Sequence, residues 1–231
     1  MLSACAGPTH ATPAPTPVIL DVTLTPSLQP LAETLHACAV PHPEFVINVY
    51  ETSAPALENQ STDLVIRWGE LPGDGFAAPI GAEALVLIVN AGNQVLTIPE
   101  EKIRDIYTGR ITSWGEVGGE QLPVQVWTYP DGADAREIFD KAIYPDDHLT
   151  SDALIAPNPQ AMLEAVGDHP YAFGYVPQTW LAQTRSLEQV RPLNIDQKLV
   201  EKLHQPIFAL SRDEPEGSLR ELLLCMQSAG Q

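Results

Sequence analysis

Apolar residues along this chain recur with two alternating periods. Residues 18–24 (VILDVTL) form a short β-rich run, and Thr25-Pro26-Ser27 punctuates its end. Leu28, Leu31, Leu35 and Cys38 then recur at the spacing of one helix face. Ser27 is a candidate N-cap for this helix and Pro30 is tolerable in its first turn. Pro41 and Pro43 end it. Strands are predicted at 45–51 (FVINVYE), 63–68 (DLVIRW) and 83–90, the last inside a longer apolar stretch over 76–90. Pro99 opens a helix with Glu100 and Glu101 in its first turn and Gly109 just past its end, where dipole and capping logic agree. A strand at 123–129, a helix at 133–143 and a helix at 158–167 closed by Gly167 follow. Strand-like runs at 171–177, 190–195 and 206–211 precede an amphipathic helix at 216–228. Strands alternating with helices predict an α/β fold with a mainly parallel sheet. So many short elements suit two small lobes better than one continuous sheet.

Composition narrows the function. The 231 residues carry 12 Lys and Arg against 30 Asp and Glu, a formal net charge of −18. Nucleic acid is therefore excluded as a partner, because a phosphate backbone needs a basic face. A small anion remains a candidate only where local donors overcome the global field. No run approaches the roughly 18 apolar residues of a membrane span.

The chain shows no GxSxG elbow, HExxH, P-loop or GxGxxG. Its six His are scattered, so neither a metal site nor a cofactor is expected, and Asp146-Asp147-His148 reads as a solvated turn. Helix N-termini are better candidates, because their unpaired N–H groups and positive dipole end suit anions. Two of them follow strands directly, at Thr25-Pro26-Ser27 and at Asp131-Gly132-Ala133. Each is also readable as an ordinary cap or turn.

Leu2-Ser3-Ala4-Cys5-Ala6 resembles a bacterial lipobox with Cys5 as the lipidated residue, and the Pro-rich stretch GPTHATPAPTP behind it reads as a tether. Residues 1–17 are thus expected to be a lipobox remnant and tether. Cys38 and Cys225 fall on apolar helix faces, and an exported protein permits a disulfide between them. Sequence leaves open whether they pair.

The segment KIRDIYTGRITSWGEVGGEQLPVQV, with its I-x-x-W-x-x-V-G-G core, resembles the signature of phosphate-binding proteins of ABC transporters. TPSLQPLAETLHACAVPHPEFVINV, TDLVIRW, HPYAFGYV and LRELLLCMQSAGQ resemble other segments of that family in the same order, from residue 18 onward. The resemblance implies a type II periplasmic-binding-protein fold, two α/β lobes with a ligand cleft. One lobe would comprise residues 18–87 and 174–231, the other residues 88–173. It also implies an extracytoplasmic, monomeric protein that captures a small anion by lobe closure and serves an ABC permease, while the lipobox adds a lipid anchor and the want of a nucleophile–base pair speaks against an enzyme.

The family's phosphate ligands are mostly replaced here. Thr25 and Ser27 match its first hydroxyl loop, but Arg67 and Trp68 stand where it has a small hydroxyl residue and often an Asp. Its D-G-S-G-T reads Asp131-Gly132-Ala133-Asp134-Ala135 here. Tyr129 replaces its preceding Arg, and Arg136 keeps a basic residue that many relatives carry. Two Ala for two hydroxyls remove bonds worth roughly 1.5–3 kcal/mol each, and Asp134 adds repulsion, so tight phosphate binding is not expected. Thr25, Ser27, Arg67, Trp68, Tyr129, Gly132, Ala133 and Arg136 are the candidate ligand residues. Arg67 and Arg136 would hold an organic carboxylate or sulfonate between the Trp68 and Tyr129 faces. The alternative is a degenerate binding fold serving as a sensor or interaction module, with the aromatics filling the cleft and Arg67 paired to Asp134.

Overall fold

The computed structural model describes residues 17–53, 62–71, 75–183 and 188–230. Residues 1–16, which include Cys5 and nearly all of the expected tether, lie outside the described residues.

Among the described residues, nine strands form one sheet: β1 (Val18–Leu24), β2 (Phe45–Glu51), β3 (Leu64–Trp68), β4 (Phe76–Asn90), β5 (Gln125–Thr128), β6 (Leu154–Ile155), β7 (Ala172–Pro177), β8 (Val190–Pro192) and β9 (His204–Ser211). Their order is β2-β1-β3-β9-β4-β7-β5-β6, with β8 also on β4. The helices are α1 (Leu31–Ala39), α2 (Glu100–Tyr107), α3 (Asp134–Ile143), α4 (Pro159–Asp168), α5 (Gln178–Gln183), α6 (Gln197–Leu203) and α7 (Gly217–Ala229). Among the described residues, no helix is long and apolar enough to cross a membrane.

The sheet is mixed, which corrects the expectation of a mainly parallel one. β1 pairs in parallel with β2 and β3, as β5 does with β6 and β7, but β4 and β9 run antiparallel to their neighbours. β4 is also longer than expected, because 76–82 contains Pro79 and Gly81 and looks broken. Its first part pairs with β9 from Phe76 to Ala84, with a register shift between Pro79 and Gly81, and its second part pairs with β7 and β8 from Leu85 to Asn90. Pairing with β9 overrides the local breakers. The strand thus runs through both halves of the sheet.

Two helix boundaries also differ from expectation. Ser27 is not a cap but lies in a 3₁₀ turn over Pro26–Leu28 ahead of α1, whose N-cap is Pro30. Gly167 lies within α4 rather than closing it. The Cys question is settled, since Cys38 on α1 and Cys225 on α7 are disulfide-bonded across 187 positions.

The family-like segment is a packing device. Ser113 and Glu116 form a capping box around a 3₁₀ turn over Trp114–Val117, and Gly118 closes it at φ +87, a left-handed value suited to Gly. Trp114 is buried and donates from Nε1 to the Tyr171 carbonyl at 3.0 Å. A Cβ at Gly119 would meet Val95 Cγ2 at 2.9 Å. Trp114 packs on Phe173, which packs in turn on Tyr107.

Candidate functional site

The carboxyl ends of three strands meet at one place. β1 runs into the Thr25–Ser27 loop, β3 ends on Arg67 and Trp68, and β5 leads through Tyr129 into the turn before α3. In α/β sheets, loops at the carboxyl ends of strands are the usual ligand positions. Gly132 shapes the third loop at φ +78, and Ala133 is the N-cap of α3.

Asp134, the first residue of α3, occupies the meeting point. It is only 2% exposed. Thr25 Oγ1 donates to its Oδ2 at 2.5 Å, and Ser27 Oγ donates to its Oδ1 at 2.5 Å. The Ala135 backbone N–H donates to Oδ1 at 2.8 Å. The loop that presents the hydroxyls is fixed from behind, because Trp180 on α5 donates from Nε1 to the Ser27 carbonyl at 2.9 Å. Burial pushes the Asp134 pKa above the usual carboxylate range, while the Ser27 and Thr25 hydroxyls, the Ala135 N–H and the Arg67 charge oppose that shift. A carboxylate in a desolvated site is costly unless hydrogen-bonded, and these donors supply the bonds.

Arg67 does not pair with Asp134 as a salt bridge. Its Nη2 lies 3.7 Å from Glu137 on α3, and its Nε is buried without a hydrogen-bond partner. Arg136 turns away from the cleft centre. Its Nη1 donates to the Tyr129 carbonyl at 3.0 Å and pairs with Asp131 at 2.7 Å, while its Nε meets Asp140 at 3.3 Å. Tyr129 is 2% exposed and donates to the Tyr175 carbonyl at 2.8 Å, so it belongs to the aromatic core. Trp68, 1% exposed, donates to the Gln205 carbonyl at 3.2 Å. The structure thus brings Thr25, Ser27 and Arg67 together around Asp134 and sets Tyr129 and Arg136 apart as supports of the turn.

A pocket of about 430 Å³ opens beside Asp134, walled by Trp68, Glu137, Lys141, Glu100 and Lys202 among others. Its charges are mutually paired: Lys141 with Glu70 at 2.6 Å, Lys202 with Glu100 at 2.8 Å and Arg104 with Glu100 at 3.3 Å. In the sequence Glu100 marks only a helix start and Lys141 and Lys202 carry no signal, because nothing local relates α2, α3 and α6. Away from the cleft, His42, Glu44 and Glu221 bring possible metal-ligand atoms within 4.8 Å of one another, a cluster hidden in the sequence because Glu221 arrives from α7.

Mixed sheet, carboxyl-end loops and a long strand through both halves define a type II periplasmic-binding-protein fold. The chain belongs to the PBP superfamily, whose domain model matches residues 56–213. Over 157 residues it is 24% identical to the phosphate-binding protein PstS of Bacillus subtilis (strain 168), an alignment covering 64% of this chain and 51% of that protein. The chain thus spans about half the length of that curated relative. It is similar in structure to a Clostridium perfringens protein assigned as a phosphate ABC transporter substrate-binding protein and solved with bound phosphate. There the TM-score is 0.81 and the identity 20%, over 92% of this chain and 95% of that one. The CcmR regulatory domain of Synechocystis PCC6803, solved in complex with 2-PG, shares the fold at a TM-score of 0.71 and 13% identity, over 92% of this chain and 97% of that one.

Proposed function

We propose that this chain is an extracytoplasmic substrate-binding protein that captures a small anion between two lobes. One observation carries this reading: the Thr25 and Ser27 hydroxyls and the Ala135 N–H converge on a single carboxylate, with the Arg67 guanidinium alongside. That is the donor set of an anion cradle, and a carboxylate already fits it. The lobes would comprise residues 18–87 with 174–231, and residues 88–173. The exchange of β9 for β7 along β4 after Ala84 supports a crossing near that boundary. Closure would be a hinge motion of the kind periplasmic binding proteins use. Its partner would be an ABC permease, as for the relatives, and its anchor the lipidated Cys5. No catalytic step is assigned, and the ligand favoured is a carboxylate, sulfonate or oxyanion other than tightly held phosphate.

A second reading has its own support. A cradle already filled by Asp134 also suits a sensor or interaction module that keeps the fold without transporting a solute, and the CcmR regulatory domain has this fold. Thermal shift of the full chain against phosphate, sulfate, acetate and methanesulfonate separates the two. A ligand at 100 times its Kd adds about 2.7 kcal/mol, a rise of roughly 5–11 °C for a chain of this size. Loss of that rise in Ser27→Ala supports capture at the cradle. A flat response across the panel favours the module.

A further inference from the structure

We propose that Asp134 is a tethered competitor for the cradle, the residue that sets the specificity of the site by coupling anion capture to uptake of one proton. The inference rests on the anion-capture reading and adds to it the identity of the gate.

Each donor of the cradle has one proton to give. A hydroxyl carries one proton to donate, as does a backbone N–H. The Thr25, Ser27 and Ala135 protons all point at Asp134. An incoming anion therefore finds none of these three protons free while the Asp134 carboxylate is ionised, and only the Arg67 guanidinium is left to meet it. It also meets a negative charge in a desolvated place, where repulsion is strongest. Two routes admit it: the carboxylate withdraws from a site where it is 2% exposed, or it takes up a proton. Protonation changes its chemistry. A carboxylic acid has an O–H to donate, so Asp134 becomes a donor to the ligand and releases hydroxyl protons it no longer needs to accept. The balance is simple: one proton from solvent joins one carboxylate oxygen as one anion enters, and the charge added to the cleft by a monoanion is cancelled.

The groups facing Asp134 set how easily this happens. Arg67 on β3 favours the ionised form. Glu137, one turn along α3 and sharing the pocket wall with Asp134, draws the Arg67 charge toward itself at 3.7 Å. The Tyr129 phenol, buried close by, is raised in pKa by burial first and by Asp134 among its further causes, so it stays neutral. Lys141 and Glu70 at the pocket mouth are paired to each other. Desolvation outweighs the donors and leaves the Asp134 pKa raised, so the site takes up a proton more readily than an exposed Asp does. The family pattern that this chain resembles has a Gly at this position, so the Asp134 carboxylate departs from that pattern.

The test uses sulfate, acetate and methanesulfonate, which hold their charge between pH 6 and 8, in calorimetric titrations of the full chain and of Asp134→Asn. In the unaltered chain, affinity should rise about tenfold for each unit of falling pH, the slope of one linked proton. Asp134→Asn should bind at least tenfold more tightly at pH 8 and lose that slope. A pH-independent affinity in the unaltered chain, or an Asp134→Asn chain that binds no better at pH 8, overturns the gate and leaves anion capture standing. Asp134→Gly guards against Asn mimicking the carboxylate as an acceptor. If it, Asp134→Asn and the unaltered chain all bind none of the three probes at any pH while melting cooperatively, the capture reading fails and the gate with it.

Discussion

The guanidinium of Arg136 is held within its own turn by the Tyr129 carbonyl, Asp131 and Asp140, whereas Arg67 reaches the cleft with a single ion pair and a buried Nε that meets no partner. Both residues are basic, Arg67 at the end of β3 and Arg136 in the first turn of α3, yet the fold gives them different work. Arg136→Ala should lower the stability of the chain by about 1.5–3 kcal/mol, the scale of a lost charge-assisted hydrogen bond, while changing anion affinity less than twofold. Arg67→Ala should do the opposite, weakening anion binding at least tenfold with a smaller effect on the denaturant midpoint. Urea unfolding and titration on the same two variants check both outcomes, and an exchange of the two results would place Arg136 at the ligand. Asp134 is the third residue to consider at this scale. Its sequence position signals only repulsion, but its place at the start of α3 turns that charge into the occupant of the cradle.

At the scale of elements, the segment that most resembles the binding-protein family gives only Arg104 to the wall of the pocket beside Asp134. Its Trp114 is pinned by the Tyr171 carbonyl and packed on Phe173, and Gly118 and Gly119 close the turn where a larger residue would strain or collide. Trp114→Ala should therefore cost about 3–5 kcal/mol, the range for truncating a buried aromatic. Titrations on the folded fraction should show unchanged anion affinity. A variant of full stability would mean that the segment is held by something other than this side chain. The period of the apolar positions exposed most helices and strands, because it depends only on neighbours along the chain. It missed the first half of β4, whose Pro79 and Gly81 look like breakers until β9 lies beside them.

For the molecule as a whole, charge and burial act in the same direction. Burial raises the pKa of Asp134, Asp140 and Glu83. The native state then binds these protons more readily than the unfolded chain does. Their contribution to stability is full below the ordinary carboxylate range and is lost as pH rises through the raised values. The formal charge of −18 adds self-repulsion that eases toward the sequence pI of about 4.5. Asp147, held low first by its hydrogen bond to Arg110, works the other way, but only as pH falls through its lowered value. Tm should thus be higher near pH 5.5 than at pH 8, and 0.3 M salt should shrink the difference without removing it, since buried groups are screened less. Scanning calorimetry at fixed ionic strength checks this. A Tm that falls steadily from pH 8 to 5.5 would mean that the donors around these carboxyls outweigh their burial.

What the sequence by itself determined follows from local rules: the alternation of strand and helix, the order of family-like segments, the acidic balance, and two alanines where the family pattern has hydroxyls. What only the tertiary structure decided lies in contacts between distant segments. Thr25 and Ser27 meet Asp134 from 109 and 107 positions away, and Cys38 meets Cys225 from 187. No periodicity encodes such meetings. They arise because burying the apolar faces of the helices brings the carboxyl ends of β1, β3 and β5 to one point. There, a charge that reads in the sequence as an obstacle to an anion becomes the group that holds the anion's place.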